Sequence, residues 1–228
     1  MSDKPIDLTN WLPILEAHNI DPDLINSDTA GWVGEPGFHT RRGILTAEAS
    51  VPFIYRTALP NLPEVRTWAD SYLTANQDAT SKSTPHHRSL LLLGSTGVGK
   101  THQAYGALRY LSAADVFTGW AATSAADMYA ALRPRHGVDS ETEFRKYAHA
   151  QLLMIDDLGA AKPSEWTEEI NFRLINHRYE NRLPTIITSN VLPKELTERV
   201  GERVASRLVG MSDRVVIRGQ DRRSEEAA

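Results

Sequence analysis

Cysteine is absent from the chain of 228 residues. That excludes disulfides and any cysteine-ligated zinc site, and it fits a reducing cytoplasm. No apolar run approaches the length that spans a bilayer. The opening residues, MSDKPIDLTN, lack the basic-then-apolar pattern of a signal peptide. No internal repeat is visible. The expectation is a cytoplasmic protein without a membrane anchor. A chain that is 41% hydrophobic and 24% charged has an ordinary globular balance, and its length suits one good-sized domain with an appendage.

The net charge of −4 conceals an asymmetry. Residues 1–50 carry eight acids against Lys4, Arg41 and Arg42. Residues 199–223 carry seven arginines against Glu202, Asp213 and Asp221. A basic C-terminal stretch in an acidic protein points to local anion contacts rather than to a polyanion spread over the whole surface. Within it, Arg203 and Arg207 stand four apart, on one face of a helix. Read alone, such a pair is an ordinary solvated basic face.

Leu8, Trp11, Leu12 and Leu15 recur at helical spacing, and Pro13 requires that helix to begin near Trp11 or Leu12. DPDLINSDTAGWVGEPGF is rich in turn residues and reads as irregular. A helix is expected from about Pro63, with Val65, Trp68, Ala69 and Tyr72 on one face. After the polar TANQDATSKSTPHHR, the apolar SLLLLG has the form of a buried parallel strand. Helices and strands then alternate. A helix at about 100–112 precedes a strand in DVFTGWAA, and SAADMYAALR is a helix capped by Ser124. ETEFRKYAHA is a helix and QLLMIDDLG a strand. SEWTEEINFRLINHRYEN is a long helix with Ser164 as N-cap and Glu168 nearby, followed by a strand in PTIITSN. KELTERVGERVASRLV is a helix broken near Gly201, and DRVVIRG is a strand. The pattern predicts an α/β domain with a mainly parallel sheet flanked by helices.

GSTGVGKT, from Gly94 to Thr101, matches G-x-x-x-x-G-K-[ST] and lies between a strand and a helix, as a phosphate-binding P-loop requires. Gly94, Ser95, Thr96, Gly97, Val98 and Gly99 supply backbone N–H groups that wrap phosphates, and the helix N-terminus adds partial positive charge. Lys100 reaches the β- and γ-phosphates, the Thr101 hydroxyl ligates Mg²⁺, and His102 adjoins the site. LLMIDD places Asp156 and Asp157 at a strand's C-terminal end, where such sheets bind ligands. Asp156 is expected to help hold Mg²⁺ and Asp157 to orient and polarise the attacking water. Asn190, at the tip of PTIITSN, is expected to bond the γ-phosphate or that water.

VPFIYRTA, LLLLGSTGVGKTHQAYGAL, LLMIDDLGA, TIITSN, GERVASRL and GQDRR, in this order, resemble the AAA+ ATPases. Within them, the chain more nearly resembles the branch of bacterial replicative-helicase loaders of the DnaC type and their relatives, the IstB-type transposition helper ATPases. It covers roughly residues 51–223 and implies a P-loop AAA+ core with ATP and Mg²⁺. It further implies that Arg207, with Arg203 as alternative, serves as an arginine finger on the neighbouring subunit's nucleotide, and that Arg223 reads nucleotide in cis. An arginine finger implies a homo-oligomer. Asp157 stands where most AAA+ proteins carry Glu, which implies a slow, switch-like ATPase. About 38 residues follow Asn190, too few for a full helical lid domain, as in the loader branch.

The same resemblance implies DNA contact through Arg133, Arg135, Arg145, Lys146 and Arg178, with Tyr179 beside them, by a basic channel with stacking aromatics. The stripe Leu8, Trp11, Leu12 and Leu15 would enter a groove on a partner or fold back on the ATPase domain. The expected organisation is a partner-binding extension at 1–50, a linker and leading helix at 51–88, and the ATPase domain at 89–228. The function implied is loading of a replicative DNA helicase onto single-stranded DNA. The alternative is a transposition helper that binds duplex DNA and a transposase. A small-molecule kinase shares the P-loop, but TIITSN, the arginine pair and the lack of an acceptor-binding motif stand against it. A non-hydrolysing adaptor is opposed by the set Thr101, Asp156 and Asp157.

Overall fold

The computed structural model describes residues 5–27, 33–77, 88–114, 119–135, 137, 139–191 and 195–221. The chain divides into two compact units, residues 1–82 with 105–118, and residues 83–104 with 119–228.

The first unit is helical. Its elements are α1 (Leu12–Ala17), α2 (Pro22–Ile25), α3 (Phe38–Ser50), a 3₁₀ turn (Phe53–Tyr55), α4 (Pro63–Gln77) and the latter part of α5 (Lys100–Ala113). Pro13 lies in the first turn of α1, where its missing N–H costs nothing. Asp21 caps α2 by accepting from the Asp23 N–H. The apolar face expected for α4 is buried at Val65, Trp68, Ala69 and Tyr72.

Helix α3 runs through residues 38–50, a segment the sequence pattern left unassigned, and α2 lies inside the stretch read as irregular. The buried stripe of α3 is Thr40, Ile44 and Ala47, continued by Val51. One of these is polar. Gly43 interrupts the pattern as well, because a Cβ there would lie 1.8 Å from the Ser112 carbonyl oxygen of α5. Close helix packing, rather than hydrophobicity, selects glycine at that point.

The stripe on α1 folds into this unit instead of presenting itself to a partner. Trp11 and Leu15 are buried, Leu8 is half-buried, and Leu12 is the exposed member. The Trp11 indole N–H donates to Glu48 Oε1 at 2.8 Å, and the Arg109 guanidinium lies 4.4 Å from its ring. A shared docking stripe is therefore corrected to a core contact with one outward leucine.

The second unit holds a five-stranded parallel sheet in the order β2-β3-β4-β1-β5. Its strands are β1 (Ser89–Leu93), β2 (Trp120–Ser124), β3 (Leu152–Asp156), β4 (Thr185–Ser189) and β5 (Ser212–Val216). Around them run α6 (Ala125–Leu132), α7 (Ser140–His149), α8 (Glu165–Glu180), α9 (Leu196–Val200) and α10 (Glu202–Met211). β1 and β4 are buried at every position and β3 at all but Asp156, which explains their unbroken apolar runs. Leu91 and Leu93 face one way and join Leu153, Ile155 and Ile187 in a core closed by α6 to α10.

Within the described part of DVFTGWAA, β2 begins at Trp120, and it continues to Ser124, which pairs with Asp156. Residues 115–118 lie outside the described set. Ser124 also caps α6, because its extended backbone lets the hydroxyl accept from the Asp127 N–H. Ser164 caps α8 through a reciprocal pair with Thr167. Gly201 separates α9 from α10.

Arg178 does not reach solvent. It is fully buried on α8, and its guanidinium donates to the carbonyls of Tyr147, Ala148, Ala150 and Pro184 and to Thr185 Oγ1. It ties the end of α7 to the start of β4, so DNA contact through this arginine is corrected to a structural role.

Candidate nucleotide site

The register of the sheet decides what meets at its C-terminal edge. Leu93 of β1 pairs with Ser189 of β4, and Ile155 of β3 pairs with Ile187 of β4. The residues at and just beyond the ends of the three strands therefore emerge side by side: the Gly94–Thr101 loop, Asp156 with Asp157, and Thr188 to Asn190. α5 begins at Lys100, so its N-terminal turn opens onto the same edge and favours an anion there.

Lys100 is 96% buried (4% exposed). Its Nζ donates at 2.7 Å to the Ser95 carbonyl and at 2.5 Å to Asn190 Oδ1. The Asn190 amide in turn donates at 2.7 Å to Asp157 Oδ1. Asn190 thus stands between the loop lysine and the second carboxylate. Thr101 Oγ1 donates at 2.9 Å to Asp156 Oδ1, and Thr188 Oγ1 donates at 2.6 Å to the same oxygen. The Asp157 backbone N–H donates back to Thr188 Oγ1 at 2.9 Å. One threonine hydroxyl therefore fixes both acids. Its position two residues before Asn190 in TIITSN is the signal that sequence reasoning passed over.

Burial pushes the Asp156 carboxyl above its ordinary range, and the neighbouring Asp157 adds to this. The hydrogen bonds from Thr188 and Thr101 and the charge of Lys100 pull the other way. Asp157 sits at φ 56°, in the left-handed region. Among residues with a side chain, Asp and Asn enter that region most readily. A longer carboxylate at this position meets a backbone cost that the strand-end geometry imposes.

Thr101 Oγ1 and Asp156 Oδ1 are hard oxygen donors in contact with each other. That pair suits Mg²⁺, which keeps most of its waters and takes one or two protein oxygens beside phosphate oxygens. The described residues contain no cluster of three or more acidic or histidine ligands, so a dedicated protein cage is not what they offer.

Ser95 and Thr96 are exposed at the loop tip, Val98 is buried beneath it, and His102, the third residue of α5, is half-buried. Gly97 has φ 79°, and a Cβ built on it would lie 1.8 Å from Asp221 Oδ1. The loop therefore needs glycine there twice over, for its backbone and for the close approach of a carboxylate. Asp221, from GQDRR, was not among the expected site residues. Arg223 lies outside the described residues.

Arg207, on α10, is half-buried beside α8 and Arg203 is exposed. Arg133, Arg135, Arg145 and Lys146 are all on the surface. Arg145 pairs with Glu141 at 3.6 Å and Lys146 with Glu143 at 2.6 Å. Arg135 donates to the Ala130 carbonyl, and Arg133 lies 5.7 Å from the Trp166 ring centre. Exposed pairs of this kind are weak and exchangeable.

Residues 71–226 match the family described as IstB-like ATP binding protein. The chromosomal replication initiator DnaA of Gloeobacter violaceus is 33% identical over 127 residues, 54% of this chain and 28% of that protein. The corresponding protein of Microcystis aeruginosa is 33% identical over 52% of this chain and 27% of its own length. The chain thus spans little more than a quarter of the curated relatives it matches. Among solved structures, the DnaC helicase loader superposes with a TM-score of 0.59 at 24% identity, covering 73% of this chain and 100% of that one. AMPPCP-bound DnaA from Aquifex aeolicus gives 0.51 at 26% identity, covering 64% of this chain and 45% of that one. These likenesses share the P-loop AAA+ fold. No helix among the described residues is long and apolar enough to cross a membrane.

Proposed function

Because the chain belongs to the family of IstB-like ATP binding proteins, we propose that it is a slow, oligomeric ATPase that loads a replicative DNA helicase onto single-stranded DNA. The observation that carries the ATPase part is the chain of contacts from Lys100 through Asn190 to Asp157. A γ-phosphate arriving at the loop competes for Lys100 Nζ and frees the Asn190 amide oxygen. The amide N–H still holds Asp157, so occupancy of the phosphate site is relayed to the residue that orients water. Thr101 and Asp156 would hold Mg²⁺, which neutralises charge on the phosphates when bound. Asp157 accepts hydrogen bonding from the attacking water, and its backbone posture fixes where that water stands.

The remaining charge on the transferring phosphoryl group falls to Arg207 of a second subunit, with Arg203 as alternative, and in other P-loop enzymes such an arginine contributes about 10³–10⁵ in rate. Arg223 would read nucleotide in cis. Arg145 and Lys146 would exchange their carboxylate partners for DNA phosphates, and the exposed Arg133 and Arg135 would add to the same contact. The proposed site of action is the cytoplasm.

The loader reading draws on the likeness to the DnaC loader, which covers that chain entirely. A transposition helper that binds duplex DNA and a transposase is favoured instead by the family match over residues 71–226. Size-exclusion light scattering with the replicative helicase of the source organism and ATP separates the two. Co-migration that is lost in Leu12→Glu supports the loader and puts the grip on the exposed face of α1. No complex with the helicase, but ATP-dependent assembly on duplex DNA, overturns it. The intact chain is used, because Trp11 and Leu15 are part of the first unit's core.

A further inference from the structure

Arg207 is held, not loose. Its Nε donates at 2.8 Å to Asn176 Oδ1, and one terminal nitrogen donates at 3.1 Å to the Arg203 carbonyl. The guanidinium carbon lies 5.0 Å from the Phe172 ring centre and 5.7 Å from that of Tyr179. Phe172, Asn176 and Tyr179 follow at i, i+4 and i+7 along α8, so one stripe of that helix makes the cradle. The two helices are in direct contact.

A guanidinium carries five N–H donors in one rigid plane. Fixing Nε and one terminal nitrogen fixes that plane and the direction of the donors that remain. The rings limit tilt, and the amide limits rotation. An amide oxygen does this without cancelling charge, whereas a carboxylate at 176 would neutralise the group it positions. We infer that Asn176 is a positioning residue for the arginine finger: it sets the plane in which Arg207 meets the neighbouring subunit's nucleotide. This rests on the reading of Arg207 given above. Asn176 lies on α8, apart in the chain from the phosphate-binding loop and the strand ends that form its own subunit's site.

The consequence is an asymmetry between binding and turnover. Asn176→Ala should leave the ATP affinity of its own site unchanged and lower kcat about tenfold, since a small misplacement of a transition-state group is costly in rate. Arg207→Ala should lower kcat further, by about 10³. The double variant Asn176→Ala/Arg207→Ala should be no slower than Arg207→Ala alone, because residues that act as one unit are not additive.

The experiment is steady-state ATPase of the full chain with Mg²⁺ and an oligo-dT strand, together with fluorescent-nucleotide titration of the same four proteins. Unchanged nucleotide affinity with the kcat pattern above supports the inference and shows that the variants fold. A normal kcat in Asn176→Ala beside a slow Arg207→Ala overturns the role of Asn176 alone. The same holds if the double variant loses a further tenfold, or if Asn176→Ala weakens nucleotide affinity. A normal kcat in Arg207→Ala overturns the finger reading and the inference with it.

Discussion

Lys100 and Arg109 lie on the same helix, α5, and both are buried. They are held in opposite ways. Lys100 contacts a loop carbonyl and the amide of Asn190, at the open edge of the sheet, and a phosphate oxygen is a better partner than either. Arg109 donates to the carbonyls of Ala58 and Asn10 and lies against the face of Trp11. Burial lowers its pKa to about 10, while the charge of Glu48 acts in the other direction. One cation waits for a ligand and the other has been used up by the fold. A buried positive charge therefore does not mark a site; partners that a ligand can replace do. Arg178 makes the same point in the second unit, with five donations, four of them to backbone carbonyls.

Breaking the exchangeable side of this pair gives the largest effect. Lys100→Ala should reduce ATPase to background, a loss of about 10³ or more, while thermal melting without nucleotide stays near that of the parent. A steady-state ATPase assay beside a melting curve checks both halves. Breaking the fixed side does the reverse. Arg109→Met strands the Ala58 carbonyl in the interior and removes the partner of the Asn10 carbonyl; it should cost about 2–4 kcal/mol, read in urea unfolding.

Thr188 sharpens the comparison, because it is a neutral residue that holds one carboxylate and the backbone of the next acid. Thr188→Val keeps the shape of the strand end and removes the hydroxyl that bonds Asp156 and the Asp157 N–H. Turnover should fall about tenfold, the worth of one hydrogen bond to a charged group, with nucleotide affinity less affected. A parental kcat would remove Thr188 from the account.

The smallest effect concerns His18 in the first unit. Its Nε2 bonds the Tyr110 carbonyl at 2.9 Å, and its ring stacks on that tyrosine at 4.0 Å. Burial lowers its pKa, with Arg66 acting the same way and the Tyr110 carbonyl and Asp70 opposing. A lowered folded pKa means that the unfolded chain binds more protons below about pH 6.5. Stability from this group is present above that pH and is lost as pH falls through the folded value. His18→Gln should flatten the acid limb of a melting-temperature profile.

The second unit was largely legible because its strands are buried on both faces and its helices carry caps. SLLLL, LLMID and TIITS announce themselves as continuous apolar runs, and GSTGVGKT needs no tertiary context. The first unit was less so. Its third helix packs through Thr40 and Gly43, which weaken the apolar period, and its buried hub is an arginine. The misread residues have a common cause. Arg178, Trp11 and Leu15 carry groups that suit a partner surface as well as a core, and only the backbone carbonyls or rings brought beside them by folding decide between the two. Thr188, Asn176 and Asp221 were invisible for the opposite reason: each acts by touching a residue far away in sequence.

The central claim is that one subunit's site is completed by another's arginine. The direct test mixes Lys100→Ala, which keeps Arg207 but cannot bind nucleotide, with Arg207→Ala, which binds nucleotide but offers no finger. Each alone should be near background, and their mixture should recover a substantial part of the parental ATPase as assemblies exchange subunits. A mixture no more active than the two components measured separately would contradict it.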